Sequence, residues 1–160
     1  MCSGIVGFGM RWTAFFLALL TAAGCVLLPP TSARIVKVLP HYLDEDDRHT
    51  RGVVLTDRDL YQKELRDNPE EITGIRFDIK WSGTGLDPKI TKLRLEVKSS
   101  KAGAGLFVTN HPVTTDALFA TWTTIRMSSS SFEKLGKMES WRVTLLEGGQ
   151  PVHEQKSFLW

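Results

Sequence analysis

The chain has 160 residues, 42% of them hydrophobic and 24% charged, an ordinary composition for one globular domain. Twenty basic residues nearly balance 18 acidic ones, for a formal net charge of +2. That excludes the large basic excess that marks most nucleic-acid binders, so no nucleic acid is expected among the partners.

In chain order, residues 1–33 come first as an export signal or anchor. Trp12 to Leu28 carries no charge and includes Phe15, Phe16, Leu17, Leu19 and Leu20, with Arg11 just before it. A positive start followed by an apolar run marks a secretory signal. Met10 would serve as an alternative start, giving a compact Met10-Arg11 head. Thr21-Ala22-Ala23-Gly24-Cys25 resembles a bacterial lipobox, which makes Cys25 the candidate lipidation site. Two other fates stay open: cleavage after Thr31-Ser32-Ala33, or an uncleaved anchor, since 17 to 20 apolar residues can just span a bilayer. The expected location is the cell envelope, with tethering through lipid or anchor ranked above free secretion. Cys2 and Cys25 both fall in this segment, so the mature domain has no cysteine pair to oxidise and relies on its core.

Residues 34–71 read as an extended lead-in and one short helix. Arg34 to Pro40 is extended and runs into the acidic stretch Asp44-Glu45-Asp46-Asp47. Thr56 is a candidate helix cap with Asp59 three residues on, and Leu60, Tyr61 and Leu65 form the apolar stripe. Asn68-Pro69 ends the helix, because a residue before proline avoids helical geometry.

From residue 72 to 160 the period becomes two, and this is the expected β-sandwich domain. Ile75, Phe77, Ile79 and Trp81 alternate with Arg76, Asp78, Lys80 and Ser82; Leu93, Leu95 and Val97 alternate with charged neighbours. Further strands are expected at 105–110, 118–127, 140–146 and 152–160. Val152, Glu154, Lys156 and Phe158 share one parity, which points to a bulge in the last hairpin. Six or seven strands without intervening long helices indicate an all-β, antiparallel sandwich, with a barrel as the alternative. Cross-strand charges further predict that the first two strands form a hairpin pairing Phe77 with Leu95, because Arg76 then meets Glu96 and Asp78 meets Arg94.

The strings Val38-Leu39-Pro40-His41-Tyr42-Leu43-Asp44, Arg48-His49-Thr50, Tyr61-Gln62, Gly74-Ile75-Arg76-Phe77-Asp78, Trp141-Arg142-Val143-Thr144-Leu145 and Ser157-Phe158-Leu159-Trp160 carry a resemblance. The chain resembles short exported proteins of Verrucomicrobia-like bacteria over residues 36–160. The resemblance implies export and no activity. The strand pattern is also similar to immunoglobulin and fibronectin-III-type sandwiches, with Phe132 and Gly136 standing before the Trp141 strand where such folds place a tyrosine corner. Phe132 lacks the hydroxyl of that corner, and the likeness implies a fold without a function.

Candidate chemistry is sparse. His41, Asp44, Asp46 and His49 are the weak candidates for metal ligands, but the calcium-loop glycine is missing and Arg48 adds a positive charge, so a solvated acidic loop is the stronger reading. A hydrolase would have to assemble from loop residues such as His41, His49, His111 and Asp116. Ser128–Ser131 shows no nucleophile elbow, and Ser130 with Glu133 reads as a capping box. Gly103, Gly105 and Gly148-Gly149 read as turns, and no cofactor motif is present. Trp81 and Trp141 are in phase with core faces. Trp122 stands among threonines and is the tryptophan expected to be exposed, hence the candidate ligand-binding residue. The expected function is a non-catalytic envelope module that binds a protein or glycan, with the loop-assembled hydrolase as alternative.

Overall fold

The computed structural model describes residues 32–101, 103–113 and 119–160. The apolar segment with Cys25, and Asp116, lie outside the described residues.

Seven antiparallel strands form two facing sheets. The first sheet has the order β1-β2-β5, from Ser32–Leu43, Gly74–Thr84 and Thr121–Met127. The second has the order β4-β3-β6-β7, from Leu106–Pro112, Thr91–Ser99, Met138–Glu147 and Gln150–Lys156. Two helices, α1 at Leu55–Asp67 and α2 at Ser129–Leu135, sit in the connections. Three strands against four, with the chain crossing between sheets from β2 to β3, is an immunoglobulin-like sandwich.

Period-two alternation explains the core. Ile75, Phe77 and Ile79 of β2 and Leu93, Leu95 and Val97 of β3 are fully buried, with Val143 and Leu145 of β6 and Ile125 and Met127 of β5. Trp81 is only 1% exposed, and its indole N–H donates to Thr123 Oγ1 at 2.9 Å, so the polar end of a buried ring is satisfied. Trp141 packs against the same core and meets Phe77 edge-on, with 6.4 Å between ring centroids.

Phe77 does not pair with Leu95. The two strands occupy opposite sheets: Phe77 lies between Pro40 of β1 and Ile125 of β5, and Leu95 between Thr109 of β4 and Val143 of β6. The charges used to set that register find partners elsewhere. Arg76 pairs with Asp78 on its own strand, and Glu96 pairs with Arg142 of β6. The connection from Gly85 to Ile90 is a crossing and not a hairpin turn, because Leu86 within it is buried in the core. The segment expected as a lead-in is extended through Leu43 and is a full member of the first sheet, paired with β2 from Ser32↔Thr84 to Leu43↔Gly74.

The helices also differ in detail from the sequence reading. Helix α1 begins at Leu55 after an extended Val54 with no side-chain cap, so Thr56 is already inside it. Tyr61 and Leu65 are buried as expected, whereas Leu60 is exposed. Gln62 replaces it on the inward face, drawn there by backbone hydrogen bonds to β1. In α2 the cap is Ser128, whose Oγ accepts from Ser131 N, and Ser130 takes no capping role. The final hairpin shifts register between Leu145↔His153 and Leu146↔Pro151, which leaves Val152 as the bulged residue.

Candidate binding face

The outward face of the first sheet brings together three rows of side chains, set by the registers of β1, β2 and β5. His41, Arg76 and Arg126 form one row, Leu39, Asp78 and Thr124 the next, and Lys37, Lys80 and Trp122 the third. His41 and Asp78 of the first two rows are covered, whereas the third row, and Thr124 and Arg126 on β5, are open.

His41 points outward by strand alternation yet is only 6% exposed. The segment after β1 and helix α1 roof this end of the sheet. Asp44 is the keystone of that roof. Its Oδ1 accepts from the backbone N–H of Asp46 and Arg48 at 2.9 and 2.8 Å, and its Oδ2 accepts from Arg48 Nε and Tyr61 OH at 2.9 and 2.5 Å. Burial pushes the Asp44 carboxyl up, but these donors outweigh it and hold the group at about 2. Gln62 completes the roof: its Oε1 accepts from Tyr42 N–H at 2.8 Å, and its Nε2 donates to the carbonyls of Tyr42 and His49 at 2.9 and 3.0 Å. The acidic run is therefore not a uniformly solvated loop. Asp44 is buried, while Glu45, Asp46 and Asp47 face water.

Under the roof, the His41 and His49 rings lie 5.3 Å apart, and His41 Nε2 is 3.7 Å from Asp78 Oδ2. Arg76 grips Asp78 with Nε and Nη2, and Thr124 Oγ1 donates to it at 2.7 Å. Burial pushes the Asp78 carboxyl up, and the hydrogen bonds from Arg76 and Thr124 more than reverse this, leaving it below the usual carboxylate range. Burial lowers His41 to about 4 despite the nearby Asp78, and burial likewise lowers His49. A base that weak and that enclosed is poorly placed to take a proton from a substrate near neutral pH. His111 stands on β4 in the other sheet, so the histidines do not converge. Asp44 and Asp46 share Arg48 instead of turning toward the histidines. Among the described residues no group of three His, Cys, Asp or Glu is arranged to hold a metal ion.

The third row is open. Trp122 is 50% exposed, and Lys80 Nζ lies 5.9 Å from its ring centroid. Thr124 and Arg126 continue the same side of β5, and Arg126 reaches Asp47 at 3.1 Å. An indole face beside an ammonium and a hydroxyl offers stacking, cation–π and hydrogen-bonding contact together.

No family model, curated protein or solved structure matches this chain.

A second concavity lies at the roofed end of the sandwich, a cleft of about 300 Å³ lined by Tyr42, Arg66, Pro69, Ile72, Phe132 and Lys137. Its walls come from three distant segments, which is why no sequence motif announces it. Asp78 was equally hidden, since alternation alone makes it one more solvated strand residue. Its signal is the pairing of Arg76 with Asp78 two positions apart on one strand face. Among the described residues no helix is long and apolar enough to cross a membrane.

Proposed function

We propose that this protein is a non-catalytic binding module of the cell envelope, which engages a protein or glycan partner through the open row of its first sheet. The observation that carries this reading is Trp122, half-exposed on a sheet whose other tryptophan, Trp81, is buried. A large aromatic left in water beside Lys80 is a ready anchor for a partner surface. The decisive measurement is Trp122→Ala in a folded domain, titrated against soluble envelope glycan fragments and envelope proteins. Loss of binding with unchanged stability supports the reading. Unchanged binding sinks it.

The export and tether belong to the same proposal, with Cys25 as the acylated residue. The start of β1 supports it: Ser32 and Ala33 already pair with Thr84 and Gly83, so cleavage after Ala33 would trim the strand. Cleavage before Cys25 leaves the strand whole. Labelling with a palmitate analogue should mark the wild type and miss Cys25→Ser; equal labelling of both would remove lipidation from the proposal.

A further inference from the structure

Two sheets have four edge strands, and an edge strand is a template for another chain unless something blocks it. Among the described residues, three of the four carry a block. On β1, Gln62 occupies the N–H and C=O of Tyr42, Ile35 N–H donates to His153 Nδ1 at 3.2 Å, and the register shifts after Ile35. On β7, Pro151, the bulged Val152 and the charges of Glu154 and Lys156 interrupt the edge. On β5, Arg126 carries a charge, paired with Asp47. Strand β4, Leu106-Phe107-Val108-Thr109-Asn110-His111-Pro112, has no Asp, Glu, Lys or Arg. It keeps an unbroken register with β3, exposes Leu106 and Val108, and has its proline only at the last position.

The ladder tells which backbone groups of β4 face outward. Val113 N–H donates to Thr91 C=O, in line with the Lys92↔Pro112 register. In an antiparallel ladder hydrogen-bonded pairs alternate, so Phe107, Thr109 and His111 bond to β3. The N–H and C=O of Leu106, Val108 and Asn110 then point away from the sheet. The other side of β3 agrees, since Gly148 N–H donates to Ile90 C=O and gives the even-numbered residues of β3 to β6.

We propose that β4 is a self-association edge, on which two copies of this chain pair antiparallel about a two-fold axis at Val108. Outward groups meet outward groups wherever the axis falls on a residue. Val108 is the centre that pairs both backbone groups of Leu106, Val108 and Asn110, whereas a centre at Thr109 would set Leu106 against Pro112, which has no N–H. With Val108 on the axis, Leu106 of each copy faces Asn110 of the other, and about six interchain hydrogen bonds close. Like charges stay apart: Lys98 beside Leu106 and Arg94 beside Asn110 end three strand spacings from each other, roughly 14 Å. That exceeds the screening length of about 8 Å at physiological salt. The same holds for Glu96 and its symmetry mate. The product is one continuous eight-stranded sheet. Its two-fold axis is perpendicular to the sheet, so both Trp122 faces look the same way. Self-pairing stands independently of the function proposed for Trp122.

Disulfide trapping in the full chain tests it, with Cys2 and Cys25 replaced by serine. Cysteines bridge only when their Cα atoms lie within about 7 Å. Val108→Cys should therefore give a covalent dimer about tenfold above an exposed control, Ser130→Cys. Co-expressed Leu106→Cys and Asn110→Cys chains should join to each other but not to themselves. As a second arm, Val108→Lys sets two ammonium groups against each other at the axis. It should leave the circular dichroism spectrum unchanged and shift the sedimentation of the dimer to that of the monomer. No Val108 crosslink above control, equal crosslinking at all three positions, or association that survives Val108→Lys would each overturn the proposal.

Discussion

The two ends of the first sheet's outward face are built from the same strands and have opposite physics. At one end His41, Asp78 and Arg76 lie beneath the Asp44–Tyr61–Gln62 roof, where burial lowers His41 and hydrogen-bond donors hold Asp44 and Asp78 low. At the other, Lys80 and Trp122 stand uncovered. Strand alternation treats these positions alike. What separates them is a layer from outside the strands, and it converts an outward polar row into a structural network at one end while leaving the surface exposed at the other.

The difference can be attacked at its strongest point. Asp44→Ala strips four donors of their acceptor and leaves Arg48 without its buried partner; a loss of about 3–5 kcal/mol is expected in denaturant unfolding. A loss below about 1 kcal/mol would mean that the roof contributes little.

Acid should find the roof next. His41 is held neutral, at about 4 against 6.5 for an ordinary imidazole. Between those two values the unfolded chain binds a proton that the folded one refuses. Stability is therefore complete above about pH 6.5 and falls as pH drops toward 4, by at most about 3 kcal/mol from His41, with His49 acting in the same direction. His41→Leu should remove the His41 part of that fall and leave the part carried by His49, which burial also lowers; an undiminished wild-type slope in the variant would move the effect to another group. Asp44 adds a further loss only lower, as pH falls from its ordinary 3.8 through about 2.

Gln62→Ala should cost about 2–3 kcal/mol, because the Tyr42 N–H and the carbonyls of Tyr42 and His49 lose their partner. Gln62→Glu retains the acceptor for Tyr42 N–H and loses the donors, so it should do no better. Hydrogen exchange at Tyr42 gives a local readout. On the open end, Trp122→Ala should change stability by no more than about 0.5 kcal/mol. Trp81→Ala, from the core of the same sheet, should cost about 3–5 kcal/mol. Equal losses at the two tryptophans would erase the distinction between buried and exposed ring.

How much of this was legible in the sequence depends on range. The alternation at Ile75–Trp81 and Leu93–Val97, the burial of Trp81 and the exposure of Trp122 follow from local period, and the presence of a bulge in the last hairpin, though not its place at Val152, from a break in parity. The partners of those strands were not legible. Arg76 and Asp78 look like cross-strand complements of Arg94 and Glu96, but intrastrand and β6 partners satisfy them equally well, so the charge pattern could not choose between a hairpin and a crossing. Leu86, an apolar residue inside an otherwise turn-rich stretch, was the local hint that the chain crosses there. The roof was hidden for a related reason. Asp44 sits in a run of acids that resembles a solvated loop, and only the tertiary position of Tyr61 makes one of the four a buried acceptor.

The indole of Trp81 bonds to a hydroxyl 42 positions further along the chain, and the central strand that carries it completes its pairing only with β5. A chain still emerging, N-terminus first, can form the β3–β4 hairpin early. It cannot flank β2 on its second side until Thr121–Met127 arrives, nor flank β3 on its second side or set Trp141 against Phe77 before Met138–Glu147 follows. Long-range pairing of this kind delays commitment to the native structure until most of the chain is available. Until then the apolar strands remain open to a holding factor, and the polypeptide stays threadable.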